Sequence, residues 1–512
     1  MTTAAHALNL SRRTRDLDAL AGGGTIDLLV IGGGVTGAGA ALDAAARGLR
    51  VVLVESRDWA FGTSRWSSKL VHGGLRYLAS GRIGVARESA IERGVLMTTT
   101  APHLVHPLAT VVPLLPSIGW RQATLIRAGF MAGDALRISA RTPKSVLPRA
   151  RRVSAAEALR LAPAIAQNGL RGGLVAYDGQ LIDDARLVVT LARTAAEHGA
   201  TVLTRVRAEQ VTGTGARLVD TMSDTSIVVS ARAVISATGV WAGEVDPSVR
   251  LRPSRGTHLV LPAARLGSPT ASITVPVPGS ISRFVFAMPE QLGRVYLGLT
   301  DEDAPGPIPD EPVAEEHEVT FLLDTINQAL GTGLTRGDVI GTYSGLRPLI
   351  DTGGGSTADV SRKHAVTVGP SGIISIIGGK LTTYRQMAED VVDRAVSVAD
   401  LNAKHCTTAQ IPLVGAPTRS DSAATAGLPS SLVARHGGLS RTVVDTATVK
   451  AALEPIAPGI DVTRAEVEYA VTHEGAIDAS DVLDRRTRIG LVRADADAAR
   501  AAVEEIVISR SS

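Results

Sequence analysis

Cysteine is almost absent from this sequence, because Cys406 is the single one among 512 residues. No disulfide can form within the chain, and a metal cluster built from cysteines is excluded. Proteins of oxidising compartments usually carry paired cysteines, so we expect this chain to work in a reducing compartment.

Long uninterrupted apolar segments are also missing. No stretch reaches the roughly 18 consecutive apolar residues that a membrane-spanning helix requires. The most apolar segment, residues 108–120, is short and contains Pro113 and Pro116. The N-terminus lacks the apolar core of a signal peptide. We therefore expect no transmembrane helix.

Neither sign of charge is in strong excess. The chain has 53 Lys and Arg against 50 Asp and Glu, a net charge of +3, which gives no case for nucleic-acid binding. Hydrophobic residues make up 45% and charged residues 20%, values typical of an ordinary soluble globular protein. The length predicts two or three domains, each large enough to bury a core.

Residues 25–55 have the pattern of a strand, a glycine turn, a helix and a second strand. Gly32, Gly34 and Gly37 supply G-x-G-x-x-G directly after the first apolar run. These glycines allow a tight turn, a close approach of backbone N–H groups to a pyrophosphate, and close packing of helix on strand. Glu55 ends the second strand, about 20 residues on, where it can accept hydrogen bonds from a ribose. The unit predicts a dinucleotide ligand and leaves FAD and NAD open.

Residues 62–78, GTSRWSSKLVHGGLRYL, combine hydroxyls, glycines and cations in one short segment. The hydroxyls of Thr63, Ser64 and Ser68, with neighbouring glycine N–H groups, can line a pyrophosphate. The second half of the segment adds charge and hydrogen-bonding groups at Lys69, His72, Arg76 and Tyr77. A plain surface loop is rarely built in this way.

These motifs carry a resemblance to a known family. The segment 62–78, after GGGVTGAGAALDAAARG at residues 32–48, resembles the FAD-dependent glycerol-3-phosphate dehydrogenase family. Four further motifs agree in order: DDARL at 183–187, ATGVW at 237–241, YSGLRPL at 343–349 and GGKLTTYR at 378–385. The resemblance covers residues 25 to about 395 and favours FAD over NAD.

The resemblance, with the strand and helix patterns, predicts an α/β fold. Its parts are a Rossmann-like FAD-binding domain of the glutathione-reductase or D-amino-acid-oxidase type, an inserted antiparallel-β substrate domain and a C-terminal helical domain. The expected division is a mobile N-terminal tail at 1–24, a discontinuous FAD-binding domain at 25–100, 171–250 and 341–395, a substrate and membrane-facing domain at 101–170 and 251–340, a linker at 396–418 and the helical domain at 419–512.

The reaction that the resemblance implies is the oxidation of sn-glycerol 3-phosphate to dihydroxyacetone phosphate by hydride transfer to the flavin. It also implies that electrons pass to a membrane quinone, and that the protein is cytoplasmic and peripherally bound to the inner face of the cell membrane. Between Trp120 and Arg152 eight Lys or Arg residues oppose the single acid Asp134. Two interpretations stay open here: a solvated helix face with a core-facing stripe, or an interfacial helix with Trp120 and Arg121, Arg127 and Arg137 on anionic lipid.

Roles for single residues follow from their positions in the family motifs. Guanidinium groups suit phosphate because they are always charged and bind it in a bidentate way. We therefore expect Arg76, Arg362 and Lys380 to bind phosphate, with Tyr77 beside them, and Arg347 to polarise the C2 oxygen. His258 is the expected general base, since imidazole titrates near neutral pH. The residues expected to contact FAD are Gly32, Gly34, Gly37, Glu55, Thr63, Ser64, Ser68, Lys69, His72, Gly74, Thr238, Gly239, Gly379, Lys380, Leu381 and Thr382.

Other functions remain as alternatives. A glycerol-3-phosphate oxidase would pass the electrons to oxygen, and an amine or amino-acid oxidase would share the nucleotide unit but lack the other motifs. A flavin-binding protein without enzymatic activity is a further alternative. The sequence does not decide the oligomeric state, a homodimer included, whether the flavin is covalently held, or whether the substrate has drifted.

Overall fold

The computed structural model describes residues 5–74, 82–277, 283–351, 363–418 and 421–511 of the chain. Its helices are α1 (Leu10–Ala21), α2 (Val35–Ala46), α3 (Ile83–Val95), α4 (Trp120–Ser139), α5 (Ala155–Leu161), α6 (Asp184–Glu197), α7 (Ala242–Val245), α8 (Glu316–Leu330), α9 (Tyr384–Ala399), α10 (Asp421–Ala424), α11 (Ser430–His436), α12 (Ser440–Asp445), α13 (Arg464–His473), α14 (Ala479–Asp481) and α15 (Arg493–Ser511).

Its strands are β1 (Ile26–Ile31), β2 (Val51–Val54), β3 (Leu70–Val71), β4 (Val105–Pro113), β5 (Arg151–Val153), β6 (Gly173–Leu181), β7 (Thr201–Leu203), β8 (Val206–Thr212), β9 (Gly215–Asp220), β10 (Ser226–Ser236), β11 (Ser254–Pro262), β12 (Ser272–Pro276), β13 (Phe284–Glu290), β14 (Arg294–Gly298), β15 (Glu302–Asp303), β16 (Gly341–Arg347), β17 (Ala365–Val368), β18 (Ile374–Ile377), β19 (Pro455–Ala457) and β20 (Ile460–Thr463).

The first sheet, called the nucleotide sheet below, has the strand order β17-β18-β10-β1-β2-β7. Its strands pair in parallel from β18 to β7, and β17 is antiparallel at the edge. Helices α2, α6 and α9 cover one face, where Ala41, Leu191 and Val391 belong to one buried apolar cluster. Parallel strands buried under helices are the signature of a doubly wound fold, so the predicted Rossmann-like domain is confirmed.

The second sheet, called the substrate sheet below, is mostly antiparallel and has the order β15-β11-β14-β13-β12-β4-β6-β3, with β16 paired to β11 and β5 to β6. Helix α8 packs on it through apolar residues spaced along one face, among them Val319, Leu322 and Ile326. This spacing of three and four residues directs one stripe of the helix towards the sheet. The inserted antiparallel domain is therefore present as predicted.

The division of the chain between the two sheets differs from the expected one. Strands β6 and β16 fall in ranges that we assigned to the FAD-binding domain, yet both pair within the substrate sheet. The chain runs from β6 of the substrate sheet through α6 to β7 of the nucleotide sheet. The strands before and after α6 therefore belong to different sheets. An apolar strand pattern does not encode its partner, so the sequence could not reveal this exchange.

The N-terminal segment, expected to be a mobile tail, contains helix α1. The side chain of Arg13 forms an ion pair with Asp220 at 2.6 Å and donates to the carbonyl of Thr204. Leu17 and Leu20 pack against the apolar cluster on the second face of the nucleotide sheet. Arg13, Leu17 and Leu20 thus attach this segment to the nucleotide sheet, so residues 10–21 are not a mobile tail.

The C-terminal domain consists of α10 to α15 with the hairpin β19–β20. Residues of α13 and α15 enclose its core, where Val467, Val471, Val503 and Ile506 are buried. Helix α9 extends to Ala399, into the range expected to be a linker.

Buried ion pairs attach the C-terminal domain to the nucleotide domain. Arg486 donates to both carboxylate oxygens of Asp58 at 2.8 Å, and Arg186 of α6 pairs with Glu474 at 2.8 Å. Because each guanidinium and its carboxylate are both buried, removal of one partner would leave an uncompensated charge.

Helix α4 carries the basic segment that was expected to contact lipid. Ile126 and Phe130 pack on a buried cluster that includes Val112, whereas Trp120 and Met131 are 70% and 63% exposed. Met131 therefore faces solvent and not the core.

One of the three arginines predicted to face lipid on α4 is buried. The side chain of Arg137 donates to the carbonyl of Thr142 at 2.8 Å and lies near Asp134. The helical pattern alone could not show this, because Thr142 lies beyond the end of the helix.

Candidate active site

A cavity of about 1530 Å³ is lined by residues from both sheets. The nucleotide sheet and its turns contribute the glycine turn after β1 and the end of β2, and the substrate sheet contributes β11 and β16. The predicted site residues that line it are Gly32, Gly34, Glu55, Thr63, Ser64, Ser68, His72, Thr238, Gly239, His258, Arg347, Gly379, Lys380, Leu381 and Thr382. Residues from widely separated motifs therefore meet in one place.

The glycine turn is packed too closely for side chains. Gly32 has φ of +111°, and a Cβ on it would lie 2.6 Å from the carbonyl oxygen of Ala237. A Cβ on Gly37 would lie 1.9 Å from the carbonyl oxygen of Gly32. Helix α2 can start this close to β1 only because both positions lack a side chain. The N-terminus of α2 opens on the cavity, where its N–H groups can face an anion.

Hydroxyl groups of the 62–78 segment tie that segment to both sheets. Ser64 Oγ accepts a hydrogen bond from the backbone N–H of Val35, in the first turn of α2, at 2.9 Å. Thr63 Oγ1 donates to the carbonyl of Leu346 in β16 at 2.7 Å. The segment therefore bridges the nucleotide turn and the substrate sheet. A wall shared by a cofactor and a substrate would have the same arrangement.

Glu55 lies at the end of β2 beside the glycine turn. Its Oε2 accepts from the N–H of Gly33 at 2.7 Å, and its Oε1 accepts from the N–H of Arg57 at 2.8 Å. Burial raises the pKa of this carboxyl group, and the two backbone hydrogen bonds oppose that rise. The backbone thus fixes the carboxylate at the position where a ribose diol is expected.

Three residues predicted to contact the cofactor do not line the cavity. Lys69 is fully buried, and its Nζ donates to Asp184 Oδ2 at 2.7 Å and to the carbonyl of Arg65 at 3.0 Å. It compensates a buried carboxylate and so has a structural role. Gly37 is covered by the glycine turn, and Gly74 lies outside the lining as well.

Lys380 and its neighbours lie at the start of α9. Lys380 precedes the short 3-10 turn Leu381–Thr383 that leads into the helix, and its Nζ donates to the hydroxyl of Ser89 in α3. The turn places backbone N–H groups at the cavity, where a helix N-terminus can stabilise negative charge. The roles of Lys380, Leu381 and Thr382 in binding FAD stay predictions.

His258 is 1% exposed and is held on three sides. Its Nε2 is hydrogen-bonded to Ser68 Oγ at 3.0 Å, and its ring stacks on Tyr343 at 4.6 Å with 8° between the planes. A Cβ on Gly298 would lie 2.3 Å from Cδ2 of the ring, so this glycine gives the imidazole its space. Burial, with the positive charges of Lys69 and Arg347, holds the pKa of His258 well below 6.5. The imidazole is therefore neutral at pH 7.

Arg347, at the end of β16, lies on the wall of the same cavity. Its Nη1 is 3.3 Å from Asp301 Oδ1 and donates to Ser254 Oγ at 3.1 Å, and its Nη2 donates to the carbonyl of Thr300 at 3.2 Å. The side chain is 20% exposed, so the guanidinium is fixed from behind while part of it stays accessible. Such an arrangement presents a fixed positive charge to a ligand.

Sequence reasoning missed the aromatic residues around His258. Trp66 lines the cavity and stacks on Tyr343 at 6.0 Å, and Phe286 lies 6.0 Å from the imidazole. Tyr343 stands directly opposite His258 in the pairing of β11 with β16. The only signal in the sequence was that Trp66 and Tyr343 belong to two of the quoted motifs.

Three predicted substrate residues, Arg76, Tyr77 and Arg362, lie outside the described residues. Their roles therefore stay predictions.

Comparisons with known proteins agree with this geometry. The family described as FAD dependent oxidoreductase matches residues 27–385, and the C-terminal domain of alpha-glycerophosphate oxidase matches residues 406–509. Glycerol-3-phosphate dehydrogenase 1 of Mycobacterium tuberculosis is 62% identical over 507 residues, which cover 98% of this chain and 98% of the relative. This chain belongs to the glycerol-3-phosphate dehydrogenase family of FAD-dependent oxidoreductases. The family predicted from the motifs is thus confirmed.

Further members of the family match along most of the chain. Glycerol-3-phosphate dehydrogenase 2 of Mycobacterium bovis is 38% identical over 490 residues, covering 91% of this chain and 81% of the relative. The X-ray structure of the glycerol-3-phosphate dehydrogenase from Bacillus halodurans complexed with FAD has a TM-score of 0.72 and 27% identity, covering 97% of this chain and 94% of that one.

The cofactor of this family is FAD, and the residues at the nucleotide end of the cavity fit it. Gly32 and Gly34 line the cavity where a pyrophosphate would approach, and the N-terminus of α2 lies there. Glu55 stands at the ribose position. The same cavity continues to His258 and Arg347. A cofactor bound at the nucleotide end can therefore meet a substrate bound beside these two residues.

Proposed function

We propose that this protein oxidises the C2 hydroxyl of sn-glycerol 3-phosphate to the ketone of dihydroxyacetone phosphate and delivers the electrons to a membrane quinone. One observation carries the proposal: a buried His258 and a fixed Arg347 share a cavity with the glycine turn of a dinucleotide site. The high identity to relatives named glycerol-3-phosphate dehydrogenase supports the choice of substrate. When bound, FAD supplies the acceptor for the hydride that leaves C2.

His258 removes the proton of the C2 hydroxyl. A base must be unprotonated when substrate binds, and burial beside two cations keeps the imidazole in that state at neutral pH. The hydroxyl of Ser68, hydrogen-bonded to Nε2, sets the orientation of the ring together with Tyr343. The substrate hydroxyl would take its place next to these two groups.

Arg347 stabilises the negative charge that grows on the C2 oxygen as the proton leaves. Its guanidinium cannot turn away, because Asp301, Ser254 and the carbonyl of Thr300 hold it. A donor that is already oriented stabilises a developing charge without the cost of reorganisation.

Lys380 binds the phosphate group at the other end of the substrate. Lys380 lines the cavity at the start of α9. Arg76 and Arg362 complete the proposed phosphate site, as the family motifs predict. One ammonium and two guanidinium groups more than neutralise a dianionic phosphate, and the guanidinium groups match its hydrogen-bonding geometry.

The route of the electrons to a membrane is supported by helix α4. Trp120, Met131 and Ile138 expose apolar side chains on it and do not line the cavity. Leu125, Ile126, Ala128, Gly129, Phe130 and Ala132 of the same helix line the cavity. The helix thus has one face towards solvent and one towards the reaction site.

We propose that α4 lies on an anionic membrane surface, with the protein peripherally bound from the cytoplasmic side. The exposed arginines Arg121 and Arg127 fit acidic headgroups, and Trp120 fits the interfacial depth that this side chain favours. Among the helices of the described ranges, none is both long and apolar enough to cross a bilayer. A surface-bound helix is consistent with that finding.

Steady-state assays with two acceptors test the proposal. Purified protein is supplied with sn-glycerol 3-phosphate and either a soluble quinone analogue or dioxygen, and with glycine or D-alanine as alternative substrates. We expect turnover with glycerol 3-phosphate and quinone, and slow peroxide formation with oxygen. Fast peroxide formation would show that oxygen and not quinone is the acceptor. Turnover of the amino acids alone would show that glycerol 3-phosphate is not the substrate.

A further inference from the structure

The C-terminal domain reaches the back of the active-site cavity. Leu491 and Val492 share one buried apolar cluster with Val260 and Tyr343 of the substrate sheet, and Trp66 packs against this cluster. These two residues directly precede α15. The C-terminal domain therefore contacts strand β11, which carries His258, and strand β16, which pairs with it.

Arg488 precedes Leu491 in the chain, and its guanidinium group lies against Trp66, which lines the cavity. Its guanidinium lies 5.4 Å from the centre of the Trp66 ring, and its Nη2 donates to the carbonyl of Arg65 at 2.7 Å. The side chain is buried, and its backbone has φ of +59°, an uncommon conformation for a residue other than glycine. A strained backbone at a buried cation needs a compensating role.

The neighbouring arginines have a different environment. Arg485 and Arg486 each pair with Asp58, so these two cations are compensated by a carboxylate. Arg488 makes no ion pair with a carboxylate in the part of the chain that the structure describes, and its hydrogen bonds run to the carbonyls of Arg65 and Asp484. Burial disfavours the charged form of Arg488, but the nearby carboxylates of Asp184 and Asp183 raise its pKa, and the face of the Trp66 ring is a further electrostatic partner.

A continuous stack of rings connects Arg488 with the proposed base. Trp66 lies on Tyr343 at 6.0 Å with 23° between the planes, and Tyr343 lies on His258 at 4.6 Å with 8° between the planes. Trp66 is held on its faces by Arg65 at 4.2 Å and by Arg488. Tyr343 therefore lies between Trp66 and the imidazole and contacts both.

We propose that Arg488 is a positioning residue for His258, acting from the C-terminal domain through the Trp66–Tyr343 stack. This inference rests on the proposed role of His258 as the base. Loss of the guanidinium removes the cation beside Trp66 and the hydrogen bonds from Arg488 to the carbonyls of Arg65 and Asp484, of which the first keeps Lys69 as a donor. The stack then loosens, and the imidazole no longer holds its place over Gly298.

Arg488→Met tests the proposal in the holoenzyme, by rapid mixing with glycerol 3-phosphate in the absence of oxygen. The limiting rate of flavin reduction should fall at least about tenfold, because small misplacements of catalytic groups cost about that much or more. The dissociation constant for glycerol 3-phosphate should stay within about twofold, since Arg488 does not reach the cavity. Arg488→Lys, which keeps the charge, should recover most of the lost rate.

Arg294→Gln is the matched control. The Arg294 guanidinium also binds this segment, through the carbonyl of Arg488 at 3.1 Å and through Asp495, but it has no contact with the three rings. We expect its flavin reduction rate to stay close to that of the wild type. An equal slowing in Arg294→Gln and Arg488→Met would show a general effect of loosening the domain and overturn the proposal.

The possible failures are distinguishable. A wild-type rate in Arg488→Met together with a slow His258→Ala would overturn this inference alone, whereas a wild-type rate in His258→Ala would overturn the role of His258 as base. If Arg488→Met does not fold, Trp66→Leu decides, because it removes the ring between Arg488 and Tyr343. Slower reduction at unchanged substrate affinity in Trp66→Leu supports the proposal, and a wild-type rate contradicts it.

Discussion

The hydroxyl oxygen of Ser68 lies 3.0 Å from Nε2 of His258. The two residues are 190 positions apart in the chain, one in the segment that bridges the two sheets and one on β11 of the substrate sheet. Their hydrogen bond therefore depends on the correct association of the two sheets. The imidazole gains its orientation only when the cavity is complete.

The first prediction concerns this pair. His258→Ala should lower kcat at least about a hundredfold, as loss of a general base commonly does, with FAD still bound. Ser68→Ala should lower kcat less, by about tenfold, because the ring keeps its stacking on Tyr343 but loses its hydrogen bond. Ser67→Ala is the matched control, since the Ser67 hydroxyl accepts from the N–H of Lys69 and does not contact the imidazole. Steady-state kinetics and the FAD content of each variant provide the check.

The second prediction concerns pH. Burial and the charges of Lys69 and Arg347 lower the pKa of His258, so its active, neutral form persists below the ordinary value of 6.5. Activity that depends on this base is present above the lowered pKa and is lost as pH falls through it. The limiting rate of flavin reduction at saturating substrate should therefore show no acidic limb between about pH 8 and 6. A limb with an apparent pKa of about 6.5 would mean that the base is exposed or lies elsewhere.

The third prediction concerns the glycine turn. In Gly37→Ala the new Cβ would lie 1.9 Å from the carbonyl oxygen of Gly32, so α2 must move away from β1. We expect the variant to lose most of its FAD, as measured by the ratio of flavin to protein absorbance. Gly333→Ala is the control, because nothing lies within 4 Å of its added Cβ. Full FAD content in Gly37→Ala would show that the turn does not approach the cofactor closely.

The fourth prediction concerns helix α4. Replacing Arg121 and Arg127 by Gln should weaken co-sedimentation with anionic liposomes, and the difference from the wild type should shrink at high salt. The exposed pair Arg493 and Arg500 of α15 provides a control variant with the same change of charge. Equal loss of binding in both double variants would show that binding depends on net charge. Unchanged binding in the variant of Arg121 and Arg127 would show that α4 presents only a solvated helix face.

Local features of the fold and of the site could be predicted from the sequence. The turn at Gly32 and the acid at Glu55 follow from the spacing of one βαβ unit, which is set within about 30 residues. His258 and Arg347 were found because each lies in a family motif, and the cavity brings both together.

Long-range pairing could not be predicted in the same way. Lys69 looked like a cofactor ligand because its partner Asp184 is 115 positions away. The assignment of β6 and β16 to the substrate sheet depends on which strands pair, and an apolar pattern does not specify this. The stack of Trp66, Tyr343 and His258 joins three separate motifs and exists only in the folded chain.

The central claim is that the chain transfers a hydride from glycerol 3-phosphate to a flavin that it holds. Anaerobic titration of the purified yellow protein with glycerol 3-phosphate, followed through the visible flavin absorbance, tests this claim most directly. We predict that the flavin absorbance of the wild type bleaches until close to one flavin per site is reduced. The flavin of His258→Ala should bleach far more slowly. A protein that carries FAD and stays oxidised at saturating glycerol 3-phosphate would contradict the proposed function and the phosphate-binding residues assigned with it.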